Sequence, residues 1–354
     1  MNWFLIIFFV LAVGLFLYTQ YIRLKRESRK EKVEAFQAAV NLVNQTITEK
    51  LKSRHGITLN FIPPSKAIVE MQSNAKEYIS QMNQPNLAAR GFQTQSELLA
   101  AYSMLFQDIT SAECETISQS ILNLLDKLEN KYPSYYRYLT KWIGKIGIAK
   151  ASNNLEGGMP HTIGNIIIMD ANWFVKPRET TFLHELTHVH QRQVPFEFDE
   201  LYTQWGYLST SVRNIRGIEP ILTLNRNNPD GISPDWLWHS TTQPDQYWWI
   251  GAVFPTATPN GLGDVNLIGV KMERDSEGNF YYLKQQPSPL NSLTSFIQYF
   301  GANPNNYHPN EMAAKFAEVY LEDMLGTPNQ SMQNRSEGYR VYMDHFNKII
   351  NTFY

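Results

Sequence analysis

Two histidines and a glutamate stand in the pattern H-E-x-x-H at His184, Glu185 and His188. Residues four apart in a helix lie on one face, so both imidazoles can bind the same metal ion. Zinc suits two imidazoles, a carboxylate and an open position for water, because this arrangement lowers the pKa of the water and leaves room for a substrate carbonyl. We therefore expect a zinc-dependent hydrolase with one Zn²⁺ per chain and with Glu185 as the general base.

The alternative is that both histidines only pack in a core or face solvent. The apolar residues of the same stretch form a stripe of their own: Phe182, Leu183, Leu186 and Val189. This stripe is separate from the face that carries His184 and His188, which favours the metal site. His190 points elsewhere on the helix, and we expect it in solvent or behind the ligands.

A zinc site of this kind needs a third protein ligand. Glu311 is the best candidate, since it follows Pro309 and Asn310 in the first turn of a predicted helix. The small Ala314 would let that helix approach the metal helix closely. The other candidate ligands are His308, Glu318 and Glu219.

Catalysis would also need a hydrogen-bond donor for the charge that develops on the attacked carbonyl oxygen. Tyr307, His308 and Tyr320 are the candidates. A tyrosine near the start of a helix also commonly packs in the core, and the sequence leaves this choice open.

A β-rich run precedes the metal helix, from Thr162 to Met169. An exposed edge strand there would pair with an extended peptide and lay its scissile bond across the metal. The residues expected on this substrate edge are Thr162, Gly164, Asn165 and Ile166. The alternative is an ordinary strand within the sheet.

The chain has 354 residues, of which 43% are hydrophobic, which is ample for a core. Its formal net charge of −2 offers no basic excess for phosphates, so we expect no nucleic-acid partner. Cys114 is the single cysteine and leaves no internal disulfide partner.

The amino terminus is strongly apolar. Residues 3–21 carry no charge and reach the length that crosses a bilayer, so we predict a transmembrane anchor over 1–22. A cleaved signal peptide is the alternative, but a positive amino-terminal region and a small-residue cleavage site are missing. The basic segment 23–32 predicts a single-pass membrane protein with its main domain in the cytoplasm; an extracytoplasmic domain is the alternative.

The remainder, 33–354, is expected to form one α+β domain that is predominantly helical. Residues 33–145 show mainly helical patterns, and 146–354 hold the metal site. Residues 226–231 indicate a turn. Several tryptophans among prolines and glycines in 235–263 indicate irregular structure packed by aromatic rings, and residues 265–284 indicate a β-hairpin.

The stretch from His184 to Gln191 resembles the HELTHVxQ motif of zincin-like metallopeptidases. The segment from Pro160 to Ile167 is similar to the strand that often leads into that motif, and Glu311 with Ala314 resembles the E-x-x-A third-ligand helix of gluzincins. This resemblance implies a zincin-like core with a small sheet beside the H-E-x-x-H helix. It also implies zinc on His184, His188 and Glu311, and hydrolysis of peptide or protein substrates with Glu185 activating water.

Two other functions are compatible with these residues. One is a membrane-tethered binding or structural module with a non-catalytic zinc site, in which a protein group such as His308 would fill the fourth coordination position. The other is a metal hydrolase for non-peptide substrates, for which a deep, closed pocket would be expected.

Overall fold

The structure is a computed structural model that describes residues 46–231, 235–240, 245–302, 305–326 and 336–352. The predicted anchor and the basic segment lie outside these residues. Among the described residues, no helix combines the length and apolar character needed to cross a bilayer.

The part of the chain before the metal motif is largely helical, as its apolar periodicity predicts. Its helices are α1 (46–55), α2 (Pro64–Asn74), α3 (Lys76–Ser80), α4 (Gln84–Ala89), α5 (Gln95–Leu105), α6 (Ser111–Lys131) and α7 (Pro133–Ile143). Thr94 and Thr110 begin α5 and α6 with capping boxes, in which a glutamate three residues on completes the hydrogen bonds of the first turn. These two helices therefore begin where local side chains satisfy the free backbone N–H groups.

The first sheet lies beside the metal helix. Its strands are β1 (Asn60–Phe61), β2 (Phe106–Gln107), β3 (Gly147–Ala151), β4 (His161–Ile163) and β5 (Ile166–Asp170). The order is β1-β3-β5-β4, with β2 also paired to β3. Strands β1, β3 and β5 are parallel, whereas β4 runs antiparallel at the edge. Because β1 and β2 come from the helical part, the two predicted parts of the domain share one sheet.

The second half of the chain carries the site helices. They are α8 (Ala171–Val175), α9 (Glu179–Gln193), α10 (Pro195–Gln204), α11 (Glu219–Leu222), α12 (Thr294–Phe300), α13 (Pro309–Leu325) and α14 (Glu337–Asn351). Helix α9 contains the H-E-x-x-H motif and contacts β4 and β5. Helix α13 packs along α9, and its Ala313 and Ala314 are fully buried. Small side chains at this contact let the two helices approach closely.

A second sheet occupies the region between α10 and α12. Its strands are β6 (Tyr207–Ser209), β7 (Trp236–His239), β8 (Tyr247–Val253), β9 (Asn266–Arg274), β10 (Phe280–Tyr281) and β11 (Ser288–Pro289). The hairpin of β9 and β10 confirms the hairpin predicted for 265–284. The prediction of irregular structure for 235–263 is wrong for β7 and β8, because their aromatic residues pair across strands and pack in the core.

The largest buried cluster contains residues from Ile47 to Ile350 and includes the apolar stripe of α9. Leu186 and Val189 are fully buried in it. The described residues therefore form a mixed α and β fold in which one core packs against the apolar stripe of α9.

Candidate metal centre

Three side chains meet at the contact between α9 and α13: His184, His188 and Glu311. The imidazole centroids of His184 and His188 are 4.9 Å apart. Nε2 of His184 lies 3.5 Å from Oε2 of Glu311, and Nε2 of His188 lies 3.7 Å from Oε1. Donors about 2.0–2.1 Å from a tetrahedral zinc ion stand about 3.3 Å from one another, so these spacings fit zinc.

The ring of His184 is oriented from behind by Glu318. Nδ1 of His184 donates to Oε1 of Glu318 at 2.6 Å, and the other oxygen of Glu318 accepts from Lys315 at 2.6 Å. Metal-binding histidines commonly donate their second ring N–H to a carboxylate in this way, because the bond fixes both tautomer and orientation. Glu318 therefore orients His184 and is not itself one of the three possible donors.

The two carboxylates also set the charge of His184. Burial opposes protonation of the ring, but its hydrogen bonds to Glu311 and Glu318 outweigh burial, so the pKa of His184 lies well above the ordinary value. A metal ion that binds Nε2 must therefore displace a proton from this ring.

The ring of His188 is held in a similar manner by Gln191. Nδ1 of His188 donates to Oε1 of Gln191 at 2.8 Å, and Nε2 of Gln191 donates to the carbonyl of Asn310 at 2.9 Å. Nε2 of His188 is buried and has no hydrogen-bond partner among the described residues. Burial lowers the pKa of His188, so the ring is neutral and offers an unused lone pair, which is the form that binds a metal.

The Glu311 carboxylate is anchored by a loop residue. Nδ2 of Asn228 lies 2.6 Å from Oε1 of Glu311 and 2.6 Å from the hydroxyl oxygen of Tyr307, and it donates to both. Burial opposes ionisation of Glu311, but its interactions with the nearby rings of His188 and His184 outweigh burial, so its pKa lies well below the ordinary value. The side chain is thus an anion that could serve as a metal ligand.

Glu185 is buried, and its Oε2 has no hydrogen-bond partner among the described residues. Burial, followed by the nearby charge of Asp230, raises its pKa well above the ordinary value. Glu185, His188 and Asp230 form a second group of close donor atoms. In that group, Oδ1 of Asp230 already accepts from Thr162 and lies 3.3 Å from Arg192, so this oxygen is engaged within the chain.

A cavity of about 500 Å³ lies beside the donor group and is lined by His184, Glu185 and Glu311. Its wall contains three arginines, Arg90, Arg178 and Arg226, and residues 226–230 form one side. A substrate in this cavity would therefore lie next to His184, Glu185 and Glu311.

The structure places two other candidate ligands away from the donor group. His308 is the N-cap of α13, where its Nδ1 accepts from the backbone N–H of Asn310 at 3.2 Å. Glu219 is exposed at the start of α11 and is not among the residues that line the cavity.

The two tyrosines proposed as hydrogen-bond donors lie in different places. Tyr307 is buried and lines the cavity, where its hydroxyl accepts from Asn228 and retains a proton to donate. Tyr320 donates to Asn347 at 2.6 Å and packs against Tyr135 and Tyr342, outside the cavity. Of the two tyrosines, only Tyr307 faces the space that a substrate would occupy.

The predicted substrate edge is largely wrong. Gly164 and Asn165 form the turn between β4 and β5, and Ile166 lies in the inner strand β5. Thr162 does lie on the edge strand, but its backbone N–H donates to Asp230 and its carbonyl accepts from Arg192 at 3.3 Å. The outward backbone groups of Thr162 are therefore already paired within the chain.

The expectation that His190 faces solvent or lies behind the ligands is also wrong. It is buried against α7, with its ring centroid 4.7 Å from Trp142 and 5.8 Å from Tyr138. Burial, and then the charge of Lys141, lower its pKa to about 3. The aromatic residues of α7 surround His190 on a side of α9 that differs from the side carrying His184 and His188. The sequence alone does not reveal that α7 packs there.

Sequence reasoning missed the loop 225–231 as part of the site. Its residue types predict only a turn, yet its side chains form part of the site. Asn228 donates to Glu311, Asp230 accepts from Thr162 of the edge strand, and Arg226 lines the cavity. The paired asparagines and the aspartate are typical of any surface turn, so no local signal separates this loop from others.

No protein-family model matches this chain, and neither a curated protein nor a solved structure matches it.

Proposed function

We propose that the protein is a zinc-dependent peptidase with a zincin-like core, anchored to a membrane by residues 3–21. The supporting observation is that His184, His188 and Glu311 converge with both histidine Nδ1 atoms already held by acceptors. Both Nε2 atoms are thereby directed to one point beside Glu185. The anchor and the cytoplasmic position of the main domain stay predictions from the sequence.

The donor set favours catalysis over a purely structural or binding role for zinc. Structural zinc sites are usually closed by four protein ligands, whereas catalytic sites keep one position open. Here the described residues supply three donors, His308 serves as a helix cap, and a cavity lies beside the site. A membrane-tethered module with a non-catalytic zinc site remains the alternative function.

In this mechanism the chain's own residues orient the reactants and move the proton. When bound, zinc supplies a Lewis acid that lowers the pKa of water and stabilises negative charge on a substrate oxygen. Glu185 accepts the proton of the attacking water through its unpaired Oε2 and delivers it to the leaving amine. Tyr307 donates a hydrogen bond to the oxygen on which charge develops.

A non-peptide hydrolase is a second candidate, and one observation favours it. Strand addition at Thr162 is blocked because Asp230 and Arg192 already occupy its outward backbone groups. A peptide must therefore be bound by the side chains of the cavity wall and not by strand pairing. A compact substrate of another class can be bound in the same way.

The first test combines metal analysis with turnover. Glu311→Ala removes a donor, so we expect loss of stoichiometric zinc from the purified protein. Glu219→Ala is the control, because it removes an exposed carboxylate that was also a candidate ligand, and it should retain zinc. Glu185→Gln should retain zinc and lose at least about a hundredfold in hydrolysis of a peptide pool, since proton transfer by a positioned base contributes that much.

Two results would contradict the proposal. Full zinc in Glu311→Ala would remove Glu311 from the ligand set. Undiminished hydrolysis by Glu185→Gln would exclude Glu185 as the base. Wild-type protein that binds zinc but cleaves no peptide would favour a non-peptide hydrolase or a module with a non-catalytic zinc site.

A further inference from the structure

The acidic residues around the catalytic cavity are largely neutralised before a substrate enters. Three of them have a cationic partner: Glu156 lies 2.8 Å from Arg90, Asp230 3.3 Å from Arg192, and Glu318 2.6 Å from Lys315. Glu311 is engaged with the two histidines. Glu185, the proposed base, is the exception. Little unpaired negative charge therefore opposes an anionic substrate.

Arg226 differs from Arg90, the other arginine deep in the cavity wall. The side chain of Arg90 is buried and paired with Glu156, whereas Arg226 is half-buried and has no carboxylate within ion-pair distance among the described residues. Its single side-chain hydrogen bond in that part of the chain runs from Nη1 to the carbonyl of Leu262, at 3.3 Å. Most of the five N–H donors of the guanidinium are therefore available.

The guanidinium of Arg226 is held in place next to the site. It lies 4.9 Å from the ring centroid of Tyr307, whose hydroxyl shares the amide of Asn228 with Glu311. The backbone of Arg226 is fixed independently, since its N–H donates to the carbonyl of Ala252 at 2.8 Å. The loop thus does not need the arginine side chain to keep its shape, and the side chain is preorganised over Tyr307.

We propose that Arg226 binds a carboxylate of the substrate, so that this enzyme prefers substrates with an anionic carboxylate close to the bond it cleaves. Arginine suits this role because its planar fork forms two parallel hydrogen bonds to a carboxylate. Arg178, which also lines the cavity and forms no ion pair with a described residue, adds positive charge to the cavity wall. The inference rests on the proposed function.

The carboxylate can come from the carboxyl terminus of a peptide or from an acidic side chain, and the probes distinguish these sources. The first pair is N-acetyl-Ala-Ala-Ala with a free carboxylate and its amide. The second pair is N-acetyl-Ala-Glu-Ala-amide and the same peptide with glutamine. Binding is measured by calorimetry on full-length, zinc-loaded protein in detergent that carries Glu185→Gln, so that no probe is consumed.

We expect one carboxylate probe to bind at least about tenfold more tightly than its neutral partner, as a charge-assisted hydrogen bond provides. Adding Arg226→Met should remove this preference, and Arg226→Lys should retain part of it because the charge remains. Arg216→Met is the matched control: Arg216 lies 5.4 Å from the ring of Tyr281 and does not line the cavity. This control should keep the full preference.

Equal binding of both members of each pair would overturn the inference, and so would a preference that survives Arg226→Met. Zinc content and near-ultraviolet circular dichroism identify a variant that has lost its fold. If Arg226→Met is such a variant, the test is whether Arg226→Lys reduces the carboxylate preference. Hydrolysis by wild-type protein is measured separately. A carboxylate preference without turnover would contradict the proposed peptidase but support the role of Arg226 in binding. Turnover without the preference would support the peptidase and contradict the role of Arg226.

Discussion

His184 and His188 each use Nδ1 to fix the ring and leave Nε2 for a metal. The acceptor for His184 is the Glu318 carboxylate, which is also paired with Lys315, and the acceptor for His188 is the amide oxygen of Gln191. The metal affinity should therefore depend on residues that never touch the ion.

Glu318→Ala should weaken zinc binding by about tenfold to a hundredfold, because Nδ1 of His184 loses its acceptor and the ring loses its orientation. A competition titration with a zinc chelator measures the change in Kd. The control is Glu337→Ala, which removes an exposed carboxylate paired with Arg340. An unchanged Kd in Glu318→Ala would show that the carboxylate does not support the ligand.

Among the larger elements, the loop 225–231 joins the site to the helical part of the chain. The side chain of Asn86, fully buried in α4, accepts from the backbone N–H of Asn227 at 2.8 Å and donates to the carbonyl of Asn225 at 2.9 Å. Arg192 of α9 donates to the carbonyl of Pro229 at 2.7 Å. These bonds hold the intervening residue, Asn228, where it meets Glu311.

Asn86→Ala should lower the free energy of unfolding by about 2–3 kcal/mol, because it leaves buried backbone groups of the loop unpaired. It should also weaken zinc binding several-fold, since Asn228 loses its fixed position. Urea denaturation and chelator competition measure the two effects. Asn172→Ala is the control, because Asn172 is exposed on α8 and should change neither value appreciably. Wild-type zinc affinity in Asn86→Ala would contradict the role of the loop.

Across the molecule, a buried ion pair connects the amino-terminal helices with the cavity. Arg90 follows α4 and pairs with Glu156, which also accepts from Tyr102 at 2.5 Å. Burial opposes ionisation of Glu156, but the charge of Arg90 outweighs it, so the pKa of Glu156 lies below the ordinary value. The folded state therefore binds this proton less readily than the unfolded state.

Because the pKa is lowered on folding, the pair stabilises the protein above the unfolded-state pKa of about 4.3, and this contribution is lost as the pH falls through the folded-state pKa. Glu156→Gln should cost about 3–5 kcal/mol at neutral pH, since it leaves the Arg90 charge buried without a partner. The difference from wild type should shrink as the pH falls below about 4.3. Urea denaturation from neutral pH down to about pH 3 measures it.

The control for this series is Glu129→Gln, which removes a partly exposed partner of Arg54. Such pairs contribute less than about 1 kcal/mol, so this variant should stay close to the wild-type curve. A difference between Glu156→Gln and wild type that stays constant over the whole acid range would contradict the assigned pKa shift.

The local features of the site follow from short-range patterns in the chain. The four-residue spacing places His184 and His188 on one face of α9, and the start signals at Pro309 and Asn310 place Glu311 in the first turn of α13. These features depend on periodicity and capping within a few residues, so they can be predicted without knowing what lies nearby in space.

The meeting of distant groups became visible only in the folded chain. Packing of α13 on α9 brings Glu311 to the histidines and sets Glu318 behind His184, and the loop 225–231 adds Asn228 and Arg226. The same packing occupies the edge at Thr162. Such contacts join residues far apart in sequence, so they depend on how helices and sheets pack, and local patterns do not encode that packing.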